Sequence, residues 1–181
     1  YVSVAQCGGF DGLDRRILAE LLGVNPEGGI RGVLNQLAEA AAGNRQGRMV
    51  VARHRMIAEE VVLAAEEMGE EYLDEVCEDI VKQTLRLASR GELEGRWISL
   101  MEGFGKSLFH GLPQRLSQER RADIAIAAAK ALVEAKPKNL RHVVTVGCVY
   151  REVERLDDGT TWFAERLGSA PGSWDYRDAI R

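Results

Sequence analysis

Apolar residues recur along this chain at three- and four-residue steps, interrupted by glycine-rich breaks, and that rhythm predicts a succession of helices. Leu13, Ile17, Leu18, Leu21 and Leu22 form one stripe, with Asp11 or Asp14 placed to cap it. Residues 1–10 read as the close of an incoming helix, stopped by Gly8-Gly9. The run Gly23-Val-Asn-Pro-Glu-Gly-Gly29 is a breaker, and Ile30, Val33, Leu34, Leu37 and Ala41 line the next helix. The pattern then changes period. Gly43–Gly47 reads as a flexible turn between Ala40–Ala42 and Met49–Ala52, giving a small hairpin. A basic cluster, Arg53-His54-Arg55, follows it, and helical spacing resumes through Ile57, Val61, Ala64, Ala65 and Met68.

Beyond Gly69 every periodic segment is helical. Leu73, Val76, Cys77, Ile80, Thr84, Leu87 and Ala88 predict a long amphipathic helix ending near Gly91. Trp97, Leu100, Met101, Phe104 and Leu108 predict another, and Gly111-Leu-Pro113 interrupts. Ser117 leads into an alanine-rich helix over Asp123–Ala135, with two further helices at Leu140–Val153 and Asp157–Leu167. The expected fold class is mainly α. Residues 1–69 form a helix-turn-helix with a small β-hairpin, and residues 70–181 form an α-helical array.

The composition agrees. The 181 residues are 45% hydrophobic with only four prolines, and Ala, Leu, Glu and Arg, all good helix formers, are abundant. Net charge is −4, so no global basic field holds a polyanion. Charge is uneven locally. Arg45, Arg48, Arg53, Arg55 and His54 have no acidic residue among them, whereas Glu59, Glu60, Glu66, Glu67, Glu70 and Glu71 follow at once. No apolar run reaches the roughly 20 residues that span a bilayer, and no signal peptide is evident. Cys7, Cys77 and Cys148 are far apart and form no CxxC pair, which argues for small buried hydrophobes in a reducing cytoplasm. The chain begins at Tyr1 rather than Met, as an excised piece of a larger protein would.

Candidate chemistry is sparse. Gly103-Phe-Gly105-Lys106-Ser107 ends like a phosphate-binding loop, but Leu100 stands where the first glycine is required, and a glycine-rich turn between helices is expected instead. His110 and His142 have no partner at metal spacing, and acid pairs such as Asp157-Asp158 and Glu66-Glu67 read as caps and solvated faces. No nucleophile arrangement is visible, so the fragment is not expected to be an enzyme. The helix from Ile30 to Ala42 offers Arg31, Asn35 and Gln36 beside Glu39, which is thin for reading a DNA groove and argues against nucleic acid.

Two stretches carry a resemblance. Helix, turn, helix and hairpin, followed by a histidine between two arginines at a helix start, resembles the winged-helix domain of STAND-type NTPases, the NLR-like signalling switches. Pro137 and Pro171 lie 34 residues apart, as do Ala125 and Gly159. Val146-Gly147, Tyr150, Gly159, Phe163 and Pro171 resemble a tetratricopeptide repeat, clearest over residues 123–171. Three departures stand out: Val143 occupies the usual tryptophan position, Gly159 stands where alanine is normal, and Pro113 falls where the upstream copy needs helix. Because such helix pairs cannot bury their faces alone, the array is expected to continue, with Ser173-Trp174-Asp175-Tyr176 opening the next helix.

The first resemblance implies a nucleotide-binding domain upstream in the same chain, binding ATP or ADP, with no cofactor in this fragment. It implies that His54, flanked by Arg53 and Arg55, senses the phosphate of bound ADP, a task that suits an imidazole at a helix N-terminus. It further implies a protein trigger recognised by the helical repeats, a homo-oligomer on activation, and a role in signal transduction or antiviral defence. Two alternatives stay open: a helical-repeat interaction scaffold with no nucleotide link, and a winged-helix DNA-binding regulator.

Overall fold

The computed structural model describes residues 12–26, 28–39, 43–46, 49–52, 54–69 and 71–168. The predicted incoming helix over residues 1–10, Arg53 and the segment from Ser173 therefore lie outside the described residues. What is described is mainly α-helical, with one small antiparallel sheet.

In chain order the elements are β1 (Leu13–Asp14), α1 (Arg15–Leu21), α2 (Gly29–Glu39), β2 (Gly43–Gln46), β3 (Met49–Ala52) and α3 (Arg55–Glu67). There follow α4 (Tyr72–Ser89), α5 (Arg96–Gly111), α6 (Gln118–Ala135), α7 (Leu140–Glu152) and α8 (Leu156–Gly168). The sheet order is β1-β3-β2, so the chain leaves β1, makes two helices, and returns by β2 to place β3 in the centre. Leu13 opposes Val50 and Asp14 opposes Met49, while Asn44 and Arg45 oppose Val51 and Val50.

Two details of the first unit differ from the sequence pattern. Leu13 belongs to a strand rather than to the helical stripe, because Asp14 starts the helix. Asp14 is extended (φ −63°, ψ 134°) and accepts a 2.8 Å hydrogen bond from the backbone N–H of Arg16, a standard N-cap. Gly12 has φ +104°, and a Cβ there would fall 2.5 Å from the Val50 carbonyl oxygen, so only glycine lets the strand enter this pairing. The hairpin is also shifted. Gly43–Gln46, expected to be the turn, is itself the strand paired with Met49–Ala52, leaving only two residues between them. A two-residue connection is the commonest hairpin geometry, and a longer turn would forfeit four ladder positions.

Helix α3 buries Ala58, Val62 and Ala65 and leaves Met56, Ile57 and Met68 at the surface. Its buried face is therefore rotated from the expected stripe of Ile57, Val61, Ala64, Ala65 and Met68. Small side chains carry much of the buried face, and Leu63 packs half-buried against the same core.

One core runs from Leu13, Ile17 and Val50 through Leu73, Cys77, Ile80 and Leu85 to Phe104, Ile124 and Leu132, without a break at Gly69. A second core gathers Phe109, Ala125, Ile126, Ala129, Val146, Val149 and Tyr150. Helix α6 separates the two and contributes nine buried residues, five of them alanine. Ser117 caps it, accepting a 3.0 Å bond from the Arg120 N–H.

The Gly103–Ser107 run lies wholly inside α5, so it is neither a phosphate loop nor the expected inter-helix turn. Gly105 is where α5 meets α6. A Cβ there would sit 2.7 Å from the Ala125 carbonyl oxygen and 3.3 Å from the Ala129 methyl. Gly103, two residues earlier, faces open space.

The pair makes a matched test by thermal unfolding. Gly103→Ala should stabilise by about 0.5–1 kcal/mol through helix propensity alone. Gly105→Val should destabilise by about 1–3 kcal/mol, because the backbone of α6 would have to move.

Candidate functional site

Strand β3 ends at Ala52, and α3 starts three residues later, so the short connection fixes where His54 stands. His54 occupies the N-cap position in extended conformation (φ −138°, ψ 133°), and its ring makes no capping bond to the helix. The imidazole is exposed, beside the positive end of a 13-residue helix. Arg55 is the first helical residue. Its side chain is 85% exposed, and its Nε lies 2.6 Å from Glu59 Oε1 one turn on. The structure thus sets His54 and Arg55 at one corner, but Arg55 is turned along its own helix. Met56, 79% exposed, and Ile57 add an apolar rim. Such a corner can donate hydrogen bonds to an anion and cover apolar surface on a neighbour.

The second candidate is the hairpin of α7 and α8. Asn139 caps α7, accepting a 3.1 Å bond from the Arg141 N–H. Gly147 lies against the Phe163 ring and Gly159 against the Tyr150 ring, each so closely that a Cβ would fall 2.9 Å from a ring carbon. Small residues on each helix receive the aromatic ring of the other. Trp162 continues the stack, 5.0 Å from Phe163 and 6.4 Å from Tyr150 between ring centroids, with Arg166 over its face. Upstream the same spacing does not give the same packing. Helix α5 ends at Gly111, and Leu112 turns extended before Pro113.

Several polar clusters carry no signal in the sequence, because their members are far apart along it. Arg120 on α6 joins three helices: its Nε and Nη2 donate to the two oxygens of Glu66 on α3 at 2.5 and 3.1 Å, and its Nη1 to Asp74 on α4 at 2.9 Å. All three side chains are largely buried. Burial raises the Asp74 carboxyl above its ordinary range, against the pull of the Arg120 guanidinium. On α5, Lys106 and His110 converge on Glu152 of α7, each at 2.8 Å, and these bonds lower the Glu152 pKa.

His142 is fully buried. Its Nδ1 lies 2.9 Å from the Leu132 carbonyl oxygen, which can only accept, so Nδ1 carries the proton. Its Nε2 makes no hydrogen bond and lies 3.8 Å from Glu102, whose other oxygen is 2.7 Å from Arg141.

Near α6 a cleft of about 290 Å³ is lined by Asp123, Lys130, Tyr150 and Arg155, among others, with Arg155 bonded to Asp123 and Asp158. Cys77 is buried, as expected, whereas Cys148 is exposed on α7, contrary to the expectation of a buried thiol. It lies on the outward side of the hairpin, away from Val146 and Val149, which face the second core. Cys7 lies outside the described residues.

Among the described residues no three metal-binding side chains come together, and no helix is long and apolar enough to cross a membrane. No protein family, curated protein or solved structure matches the chain.

Urea unfolding measures the Arg120 junction. Arg120→Ala should cost about 2–3 kcal/mol, because it strands two partly buried carboxylates. Arg115→Ala, which breaks an exposed bridge to Glu60, should cost less than about 0.5 kcal/mol. Asp74 also sets a pH slope. Folding raises its pKa, so its contribution is full below the ordinary value of 3.8 and is lost as pH rises through the raised one. Relative to Asp74→Asn, the parent protein should therefore lose urea resistance as pH is raised from 3.8, and the variant should lack that component.

Proposed function

We propose that this chain is the regulatory and sensor-side section of a STAND-type signalling NTPase. In this reading a winged helix controls the nucleotide state of an upstream domain, and helical repeats recognise a protein trigger. The observation that carries it is the strand–helix–helix–hairpin order with β3 central, delivering an exposed His54 to the start of α3. That order suits a winged helix, and the corner suits a contact with a phosphate-bearing neighbour. Met56 and Ile57 beside the imidazole would be covered by the same neighbour.

The remaining parts of the reading follow by resemblance. ATP or ADP would be held by the upstream domain and contacted by His54, with Arg53 and Arg55 as flanking cations. Release of that contact would allow a homo-oligomer to form and act on an effector in the cytoplasm. The exposed Arg31, Asn35 and Gln36 on α2 are too few to favour duplex binding over protein contact.

A second reading is a helical-repeat scaffold with no nucleotide link. The interlocked Gly147–Phe163 and Gly159–Tyr150 contacts favour it, since they suit a repeat hairpin whatever precedes it. The two readings part at His54.

In the full-length protein, His54→Ala should speed ADP release about tenfold, the equivalent of one hydrogen bond to a charged group, and raise basal signalling. An ADP off-rate and basal activity equal to those of the parent would leave the scaffold reading in place. Folding of the variant is checked by an unchanged melting temperature, because His54 makes no bond that packing depends on.

A further inference from the structure

Helix α6 shows solvent only one narrow line over most of its length. From Asp123 to Glu134 every residue is buried except Asp123, Ala127, Lys130 and Glu134, whose spacing puts them in a single stripe. All four line the cleft of about 290 Å³, which therefore has α6 as its floor. The helix rises roughly 16 Å between the first and the last of them, and Ala127 leaves the middle of the floor low. Glu78 of α4 stands on one side, and Tyr150 of α7 with Asp158 of α8 on the other. The turn that carries Arg155 is held in place: Glu154 is left-handed (φ 60°), and the Arg155 N–H donates to the Tyr150 carbonyl oxygen at 3.0 Å.

The charges along this cleft follow an order. At one end Lys82 Nζ lies 2.7 Å from Glu78 and 3.1 Å from Glu134, so two carboxylates share one ammonium. At the other end Asp123 and Asp158 share the Arg155 guanidinium. Each end thus keeps one negative charge in excess. Between them Lys130 Nζ stands 5.7 Å from the centre of the Tyr150 ring, and among the described residues no carboxylate lies within 4 Å of it. The cleft reads negative, positive, negative. We propose that it seats an extended peptide segment of a partner protein, with basic side chains at its first and fifth positions and an acidic one at its third. Alternate side chains of an extended chain face the same way, so all three enter the cleft, over a span of about 13 Å. A polyanion is repelled at both ends, and an evenly charged polycation is repelled at the centre. The proposal rests on the reading of the helical array as a protein-recognition surface and is independent of His54.

Fluorescence anisotropy with two labelled, end-blocked peptides tests the pattern against net charge alone. At low salt the full chain should bind Lys-Thr-Glu-Thr-Lys about threefold more tightly than Lys-Thr-Gln-Thr-Lys, although the first peptide carries less positive charge. In Lys130→Gln that order should invert. Ala127→Trp fills the floor without changing charge and should weaken both peptides about tenfold, with an unchanged melting temperature confirming that each variant folds. Tighter binding of the glutamine peptide by the parent chain would overturn the proposal, since net acidity alone would then set the order. Binding that Ala127→Trp leaves intact would overturn it too, because the peptide would be spread over the surface rather than seated. So would the absence of binding at millimolar peptide. Any of these results removes the cleft from the recognition surface, whereas the nucleotide reading stands or falls on ADP release at His54.

Discussion

Helix α6 is buried on both sides, and the rest of the architecture follows from that constraint. Ile124, Ala128, Ala131 and Leu132 belong to the core shared with the sheet, α4 and α5, whereas Ala122, Ala125, Ile126, Ala129 and Val133 belong to the core under α7. A helix flanked this way has no wide polar face, which explains its weak amphipathicity in the sequence despite its length. It also explains the alanines. With neighbours on opposite flanks, large side chains throughout would force the helices apart, and at Gly105 there is no room for a Cβ beside the Ala125 carbonyl oxygen.

Arg120 extends the same helix into polar contacts. At the N-terminal end of α6, one guanidinium holds Glu66 and Asp74 and so fixes how α3 and α4 sit against the array. Glu20 on α1, bonded to Arg86 and near Arg90, ties the sheet unit to α4 from the other side. The corner bearing His54 is therefore mounted on a braced support, although its own side chain is free of the helix it precedes. If His54 reads a phosphate, as proposed, any change there would be passed to the array through α3 and these ion pairs rather than through a loop.

Helices α4, α5 and α7 were legible because each buries one stripe, and burial at that spacing leaves a period in the sequence, whereas α6 was marked by its Ser117 cap and helix-forming alanines. The sheet was less legible. Leu13 sits in phase with the α1 stripe, so a two-residue strand is indistinguishable from one more helical turn. Gly43–Gln46 has the composition of a turn, yet pairing with β3 makes it a strand, a tertiary effect that overrides propensity. Glycine was ambiguous for a related reason: the residues of Gly103–Ser107 signal a loop, but Gly105 is needed to admit a neighbouring helix. At the candidate site, the exposed basic corner could be read from consecutive residues. The Arg120 junction could not, because nothing local marks which distant carboxylate a cation will meet.

Asp14 occupies two roles at once: it ends the edge strand paired to Met49 and caps the helix that follows. While the polypeptide is being synthesised, Arg15–Leu21 leaves the ribosome well before Met49 and Val50 do. Until they arrive, this seven-residue segment has its cap but is too short to hold a helix alone. Its early life is therefore spent with Leu13 and Ile17 uncovered, and a pause in translation between those points would lengthen the interval in which a chaperone could bind them.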